Sequence, residues 1–328
     1  MKVLITGAAG FVGGTLAARI AANADALGRP VEALLLADAR QPADAPPATG
    51  APRAGWRIGD LADPAYADAL AAEAPDVVFH LASVPGGAAE RDPALGTAVN
   101  LHGTLRLVEQ LARAATPPVF VFTSTVAIYG APLPAAMDDS TPPAPVTSYG
   151  AHKLMTEHLL SDLARRGRLD ARTVRLPGIV ARPPQANGHV SAFMSDLIHR
   201  LAAGQPFTCP VSQDATCWWM SIGRCVDNLL KAATLPASRL APAPGANVAA
   251  GRVWTLPVLR ASVGDLVDAL AKRFGDDRRS LVTWAPQEAV ELQFGRQPPL
   301  ATPAARALGL ADDGDLDQLI TRALGGQA

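Results

Sequence analysis

The sequence predicts an α/β fold in which a doubly wound parallel sheet is followed by a smaller C-terminal domain. Three observations carry this. Short apolar runs alternate with longer amphipathic stretches through the first half, the rhythm of strands joined by crossover helices. The runs Val77-Val78-Phe79 and Val119-Phe120-Val121-Phe122 are continuously apolar, as strands covered on both faces require. With 328 residues, 49% hydrophobic and 18% charged, the chain can bury a sizeable core, which excludes intrinsic disorder.

Taken in order, strands are expected near 2–6, 32–37, 55–58, 76–81, 118–123 and 172–176. Helices near 11–27, 64–73, 97–115 and 148–166 lie between them, with apolar residues recurring at three- and four-residue spacing. Pro and Gly concentrate at 41–54, 131–146, 177–188 and 235–251, which read as long loops. Beyond about residue 180 the rhythm loosens into helices near 191–203, 222–233, 263–274 and 314–324. The expected division is a first domain over 1–180, rejoined by a segment near 208–234, and a second domain drawn mainly from 181–328.

Lys plus Arg number 29 against 30 Asp plus Glu, with no basic stripe or tail, so neither nucleic acid nor an anionic membrane is an expected partner. The 3 Cys (Cys209, Cys217, Cys225) are too few and too widely spaced for a disulfide framework or a metal site. No apolar run reaches the ~18 residues of a membrane span, and the first strand begins at Lys2 without a charged leader. A soluble, cytoplasmic protein is expected. Two residue types are scarce: the 3 tyrosines are Tyr66, Tyr129 and Tyr149, and the lysines are Lys2, Lys153, Lys231 and Lys272.

The first strand runs into Thr6-Gly7-Ala8-Ala9-Gly10-Phe11-Val12-Gly13. Glycines at Gly7, Gly10 and Gly13 let the turn close and let backbone N–H groups, including those of Phe11 and Val12, approach a pyrophosphate at the positive end of the helix dipole. The second strand ends in Asp38, where a carboxylate accepts hydrogen bonds from the adenosine ribose and repels a 2′-phosphate. This favours NAD over NADP, although Arg40 stands close behind. Gly59-Asp60-Leu61 follows the third strand within reach of an adenine, and His80-Leu81-Ala82-Ser83 leaves the fourth beside the pyrophosphate crevice.

Tyr149 and Lys153 stand four residues apart at the start of a helix, on one face. A free phenol has a pKa near ~10, and a neighbouring ammonium favours the phenolate. Joined to the Gly-x-x-Gly-x-x-Gly turn, Asp38, Thr123-Ser124-Thr125 and Asn100, the pair resembles the extended short-chain dehydrogenase/reductase superfamily, epimerase/dehydratase branch. The resemblance implies a Rossmann-like domain and a C-terminal substrate-binding domain. It gives Tyr149 as catalytic acid/base, Lys153 as its assistant on the nicotinamide ribose, and Thr125 as the hydroxyl that orients substrate. It also places Asn100, Leu81, Ala82, Pro177 and Ile179 near the cofactor, makes Arg175 structural, and implies a homodimer through the helices at 97–115 and 148–166.

Within the branch, Ser83–Pro93, Arg175–Pro183 and Trp218-Trp219-Met220-Ser221 are similar to stretches of D-erythronate dehydrogenases, which oxidise the carbon-2 hydroxyl of a four-carbon sugar acid with NAD. The chain departs from that pattern with Gly178 in place of Thr and Trp219-Met220 in place of His-Ala. Ser83 would then face substrate with Thr125 and Tyr149, and Arg182, His189 and Ser191 are positional candidates for anchoring its carboxylate. A nucleotide-sugar epimerase or dehydratase is the alternative, and it needs cations for a diphosphate; the stretch Gln213–Trp219 carries none. A non-catalytic dinucleotide sensor is the third reading, set against the retained Tyr149, Lys153 and Thr125.

Overall fold

The computed structural model describes residues 1–42, 52–183, 190–240 and 252–325. The chain begins with β1 (Lys2–Thr6), α1 (Phe11–Ala22), β2 (Ala33–Asp38), β3 (Arg53–Ile58), α2 (Pro64–Ala72) and β4 (Val77–His80). It continues through α3 (Gly86–Arg91), α4 (Pro93–Thr97), α5 (Thr104–Leu111), β5 (Val119–Thr125), α6 (Ser148–Arg165) and β6 (Asp170–Leu176). Then come β7 (Gly178–Val180), α7 (Phe193–Ala202), β8 (Phe207–Cys209), β9 (Thr216–Ser221), α8 (Ile222–Thr234) and β10 (Val253–Thr255). The described chain closes with β11 (Leu259–Ser262), α9 (Val263–Phe274), β12 (Val282–Trp284), α10 (Glu288–Val290), α11 (Pro303–Ala307) and α12 (Leu316–Leu324).

Two compact units emerge. The first comprises Met1–Ile128, Pro143–Arg175 and Val226–Thr255; the second comprises Tyr129–Pro142, Leu176–Cys225 and Leu256–Ala328. In the first, seven strands lie in the order β10-β6-β5-β4-β1-β2-β3. Pairing is parallel in β1 with β2 and β4, β2 with β3, β4 with β5, and β10 with β6. The order reverses beside β1, the doubly wound arrangement expected from the alternating pattern. One face is covered by α2, α5 and α6 over Leu4, Val78, Phe120, Phe122, Leu107 and Leu160. On α1, Leu16 and Ile20 are buried, and an Arg19–Asp227 ion pair at 2.9 Å ties that helix to α8. The register sets Thr6 and His80, the last residues of β1 and β4, abreast of Phe122 in the middle of β5.

The second unit holds the three-stranded sheet β11-β9-β7 and the pair β12-β8. Trp219 of central β9 is fully buried among Phe193, Leu197, Leu266 and Ile320. Its indole N–H donates to the Ala261 carbonyl at 3.1 Å.

Three local departures from the sequence expectations have identifiable causes. The helix expected over 97–115 is two helices, α4 and α5, joined by a π-turn at Ala98–Gly103. There the backbone passes so close to Leu61 that a Cβ on Gly103 would lie 2.3 Å from its carbonyl oxygen, and Asn100 turns toward the loop after β4. The helix expected over 11–27 stops at Ala22, where Asn23 takes an extended conformation. Finally, β7 falls inside the expected loop 177–188, because a three-residue strand has no periodicity of its own and is made by pairing with β9.

Candidate active site

The glycine-rich turn is shaped by packing. Gly7 adopts φ +72°, and a Cβ there would lie 2.7 Å from the Ala82 backbone N; one on Gly13 would lie 2.1 Å from the Gly7 carbonyl oxygen. These two glycines bring β1, α1 and the strand end at Leu81-Ala82 into close approach. Gly10 is exposed and caps α1 without a side-chain hydrogen bond of its own, and the first turn of the helix after it includes Phe11 and Val12. Asp38, at the end of β2, is fixed beside this turn: its Oδ2 accepts from Ala9 N–H at 2.9 Å and its Oδ1 from Arg40 N–H at 3.3 Å. A glycine cradle at a helix N-terminus with a carboxylate at the neighbouring strand end fits a dinucleotide.

Asp60 is exposed and spends Oδ1 on the Ala62 N–H at 2.9 Å, whereas the Leu61 side chain lies in the core. Asn100 is buried and holds both backbone polar groups of Val84: its Oδ1 accepts from Val84 N–H at 2.6 Å and its Nδ2 donates to the Val84 carbonyl at 2.9 Å. It thus fixes the loop that carries Ser83 and leads to Gly86, where a Cβ would come within 3.7 Å of the Tyr149 side chain.

Tyr149 and Lys153 lie on the first turns of α6, whose N-cap Thr147 accepts from Gly150 N–H at 3.1 Å. Glu90 of α3 accepts from Ser148 N–H at 2.7 Å, which anchors the start of the helix. Lys153 is 3% exposed; its Nζ donates to the Thr123 carbonyl at 2.8 Å and stands 4.7 Å from the Phe122 ring centroid and 5.7 Å from that of Tyr149. Burial brings the Lys153 pKa down to about 7, and Glu157 opposes that fall. Thr125, at the end of β5, is partly buried, and its Oγ1 accepts from Ala127 N–H at 3.1 Å.

Four further side chains stand here: His80, which the sequence placed beside the pyrophosphate crevice, and Glu157, Ser124 and Arg175, to which it gave no catalytic or binding role. His80 is fully buried between Thr6 Oγ1 at 2.8 Å and Thr104 Oγ1 at 2.9 Å, and stacks on Phe120 and Phe122. Burial, reinforced by the charge of Lys153, pushes its pKa down to about 3. Glu157 accepts from the Ser124 hydroxyl and from Arg175, whose Nη2 approaches Oε2 to 2.7 Å. The available signal was spacing, since Glu157 stands four residues beyond Lys153 on the same helix face.

Pro177, Ile179, Arg182 and Ser191 belong to the second unit. Pro177 is buried, Ile179 partly buried and Ser191 exposed. The backbone of Arg182 is held by Ser195 Oγ at 3.0 Å and His199 Nε2 at 2.9 Å. His189 lies outside the described residues. A Cβ on Gly178 would lie 2.7 Å from Met194 Cε, so a side chain there requires Met194 to move. Trp218 donates its indole N–H to the Pro298 carbonyl at 2.8 Å. Among the described residues no group of three His, Cys, Asp or Glu side chains could hold a metal, and no helix is long and apolar enough to cross a membrane.

Comparison with known proteins places this site among relatives. The NAD dependent epimerase/dehydratase family matches residues 3–243. A D-erythronate dehydrogenase of Cupriavidus necator is 36% identical over 327 residues, covering 98% of this chain and 97% of the relative. One of Haemophilus influenzae is 37% identical over 237 residues, covering 72% and 73%. The crystal structure of a nucleoside-diphosphate-sugar epimerase from Agrobacterium tumefaciens superposes with a TM-score of 0.90 at 33% identity, covering 99% of this chain and 94% of that one.

Proposed function

Because the chain belongs to the NAD dependent epimerase/dehydratase family, we propose that it oxidises the carbon-2 hydroxyl of a small sugar acid, D-erythronate foremost, to the 2-keto acid with NAD. The observation that carries this reading is the buried Lys153 ammonium held beside the Tyr149 ring, with the Thr125 hydroxyl two residues past the Thr123 carbonyl that receives its hydrogen bond.

Tyr149 acts as the base. Lys153 favours the phenolate, which takes the proton of the carbon-2 hydroxyl, and Thr125 Oγ1 orients the alcohol oxygen. A bound nicotinamide dinucleotide supplies the hydride acceptor. The turn at Gly7, Gly10 and Gly13, with the backbone of Phe11 and Val12, holds its pyrophosphate, Asp38 its adenosine ribose and Lys153 its nicotinamide ribose; Leu81, Ala82, Asn100, Asp60, Leu61, Pro177 and Ile179 complete the cofactor contacts. The Asp38 carboxylate repels a 2′-phosphate, which selects NAD over NADP. Ser83, Arg182 and Ser191 are assigned to the sugar acid. The three cysteines are free and buried, which suits a reducing cytoplasm.

Purified protein with NAD and a panel of four-carbon sugar acids, followed at the NADH absorbance band, tests the reading. Net NADH formation with D-erythronate is expected, and Tyr149→Phe should lower kcat about 10²- to 10⁴-fold. A Tyr149→Phe enzyme at full rate would overturn the mechanism. Conversion of a nucleotide sugar without net NADH would transfer the assignment to epimerisation.

A further inference from the structure

An ammonium withdrawn from water needs an answering charge or enough hydrogen bonds to replace its solvation. The groups facing Lys153 come from three elements. On α6 they are Tyr149 and Glu157; on β5 the Phe122 ring and the Thr123 carbonyl; on β4 His80, which burial and Lys153 itself keep neutral. Glu157 lies one helical turn beyond Lys153 on the same face of α6, is buried as Lys153 is, and its charge offsets the burial of Lys153.

Glu157 is 2% exposed and fully engaged. Its Oε1 accepts from the Ser124 hydroxyl, and Arg175 of β6 reaches it through Nε at 3.1 Å and Nη2 at 2.7 Å. Helix α6 therefore grips two consecutive residues of β5, Thr123 through Lys153 and Ser124 through Glu157. The next residue along that strand is Thr125.

We propose that Glu157 is a positioning residue of the active site: its carboxylate ties the strand end that carries Thr125 to the helix that carries Tyr149, and it is the counter-charge of Lys153. Arg175 and Ser124 hold that carboxylate in place. The proposal rests on the dehydrogenase reading in naming Tyr149 and Thr125 as the acid/base and the alcohol-orienting hydroxyl, but its first test does not.

The chain has lysines only at Lys2, Lys153, Lys231 and Lys272, so protein labelled with carbon-13 at lysine Cε shows one resonance for each, and Lys153→Met identifies the relevant one. In the cofactor-free protein, Glu157→Gln is expected to lower the Lys153 titration midpoint by about one pH unit or more while the other three stay fixed. Folding is verified by circular dichroism. An unchanged midpoint in folded Glu157→Gln overturns the counter-charge. If that variant does not fold, Glu157→Asp, which keeps the charge one methylene further back, should give a smaller fall, and no fall overturns it equally. Ser124→Ala tests the tie: kcat should drop about tenfold with KM unchanged, because the alignment of Thr125 is disturbed. A Ser124→Ala enzyme with unchanged kcat overturns the tie. Failure of the wild type on every sugar acid would remove the substrate assignment and leave the Lys153 titration standing.

Discussion

His80 shows how a single buried residue can set the acid limit of the protein. Its imidazole bridges Thr6 and Thr104, and burial lowers its pKa to about 3 in the folded chain, well below the ordinary imidazole value. Below pH ~6.5 the unfolded chain therefore binds a proton that the folded chain refuses, so stability falls as pH drops from there toward ~3. The slope contributed by one such group approaches about 1.4 kcal/mol per pH unit. His80→Gln keeps a polar side chain at the site but cannot titrate. Urea denaturation at pH 7, 6 and 5 should show a shallower loss of stability in the variant than in the wild type, and parallel curves would contradict the assignment. Nothing local in the sequence marks His80 as neutral, since its neutrality comes from β1, β5 and the first residue of α5, all folded around it.

At the scale of elements, the glycine-rich turn was legible, and close packing is the reason that the structure gives for its glycines. A Cβ on Gly13 would lie 2.1 Å from the Gly7 carbonyl oxygen, a distance no side chain tolerates, whereas one on Gly10 would lie 3.1 Å from that same oxygen. Gly13→Ala should separate α1 from β1 and lower both the melting temperature and dinucleotide affinity, as read by differential scanning calorimetry and NADH fluorescence titration. An alanine variant with unchanged melting would show that the turn relaxes freely. Elsewhere, helices with a regular apolar period were readable from spacing, as α2, α6 and α9 show. The π-turn at Ala98–Gly103 was not, because it packs at Gly103 against the Leu61 backbone, distant in sequence and adjacent in space.

For the molecule as a whole, the expected homodimer draws on the helices at 97–115 and 148–166, which fold as the π-turn with α5 and as α6. Met155 of α6 is a large apolar side chain left 52% exposed. Sedimentation velocity should give a dimer for the wild type, and Met155→Glu should shift it toward monomer by forcing a charge into an apolar contact. A wild type that sediments as a monomer at every concentration would remove the expectation.

The sequence by itself determined the alternating α/β order, the glycine turn closing on Asp38, and the Tyr149 and Lys153 pair, because each is carried by residues within one strand, one turn or two turns of one helix. Local period and local chemistry suffice for such features. Tertiary structure alone decided that Lys153 is sealed from water, that Glu157, Ser124 and Arg175 close a buried network behind it, and that β7 exists at all. Each of these depends on desolvation or on pairing between segments far apart in the chain, quantities that no run of neighbouring residues encodes.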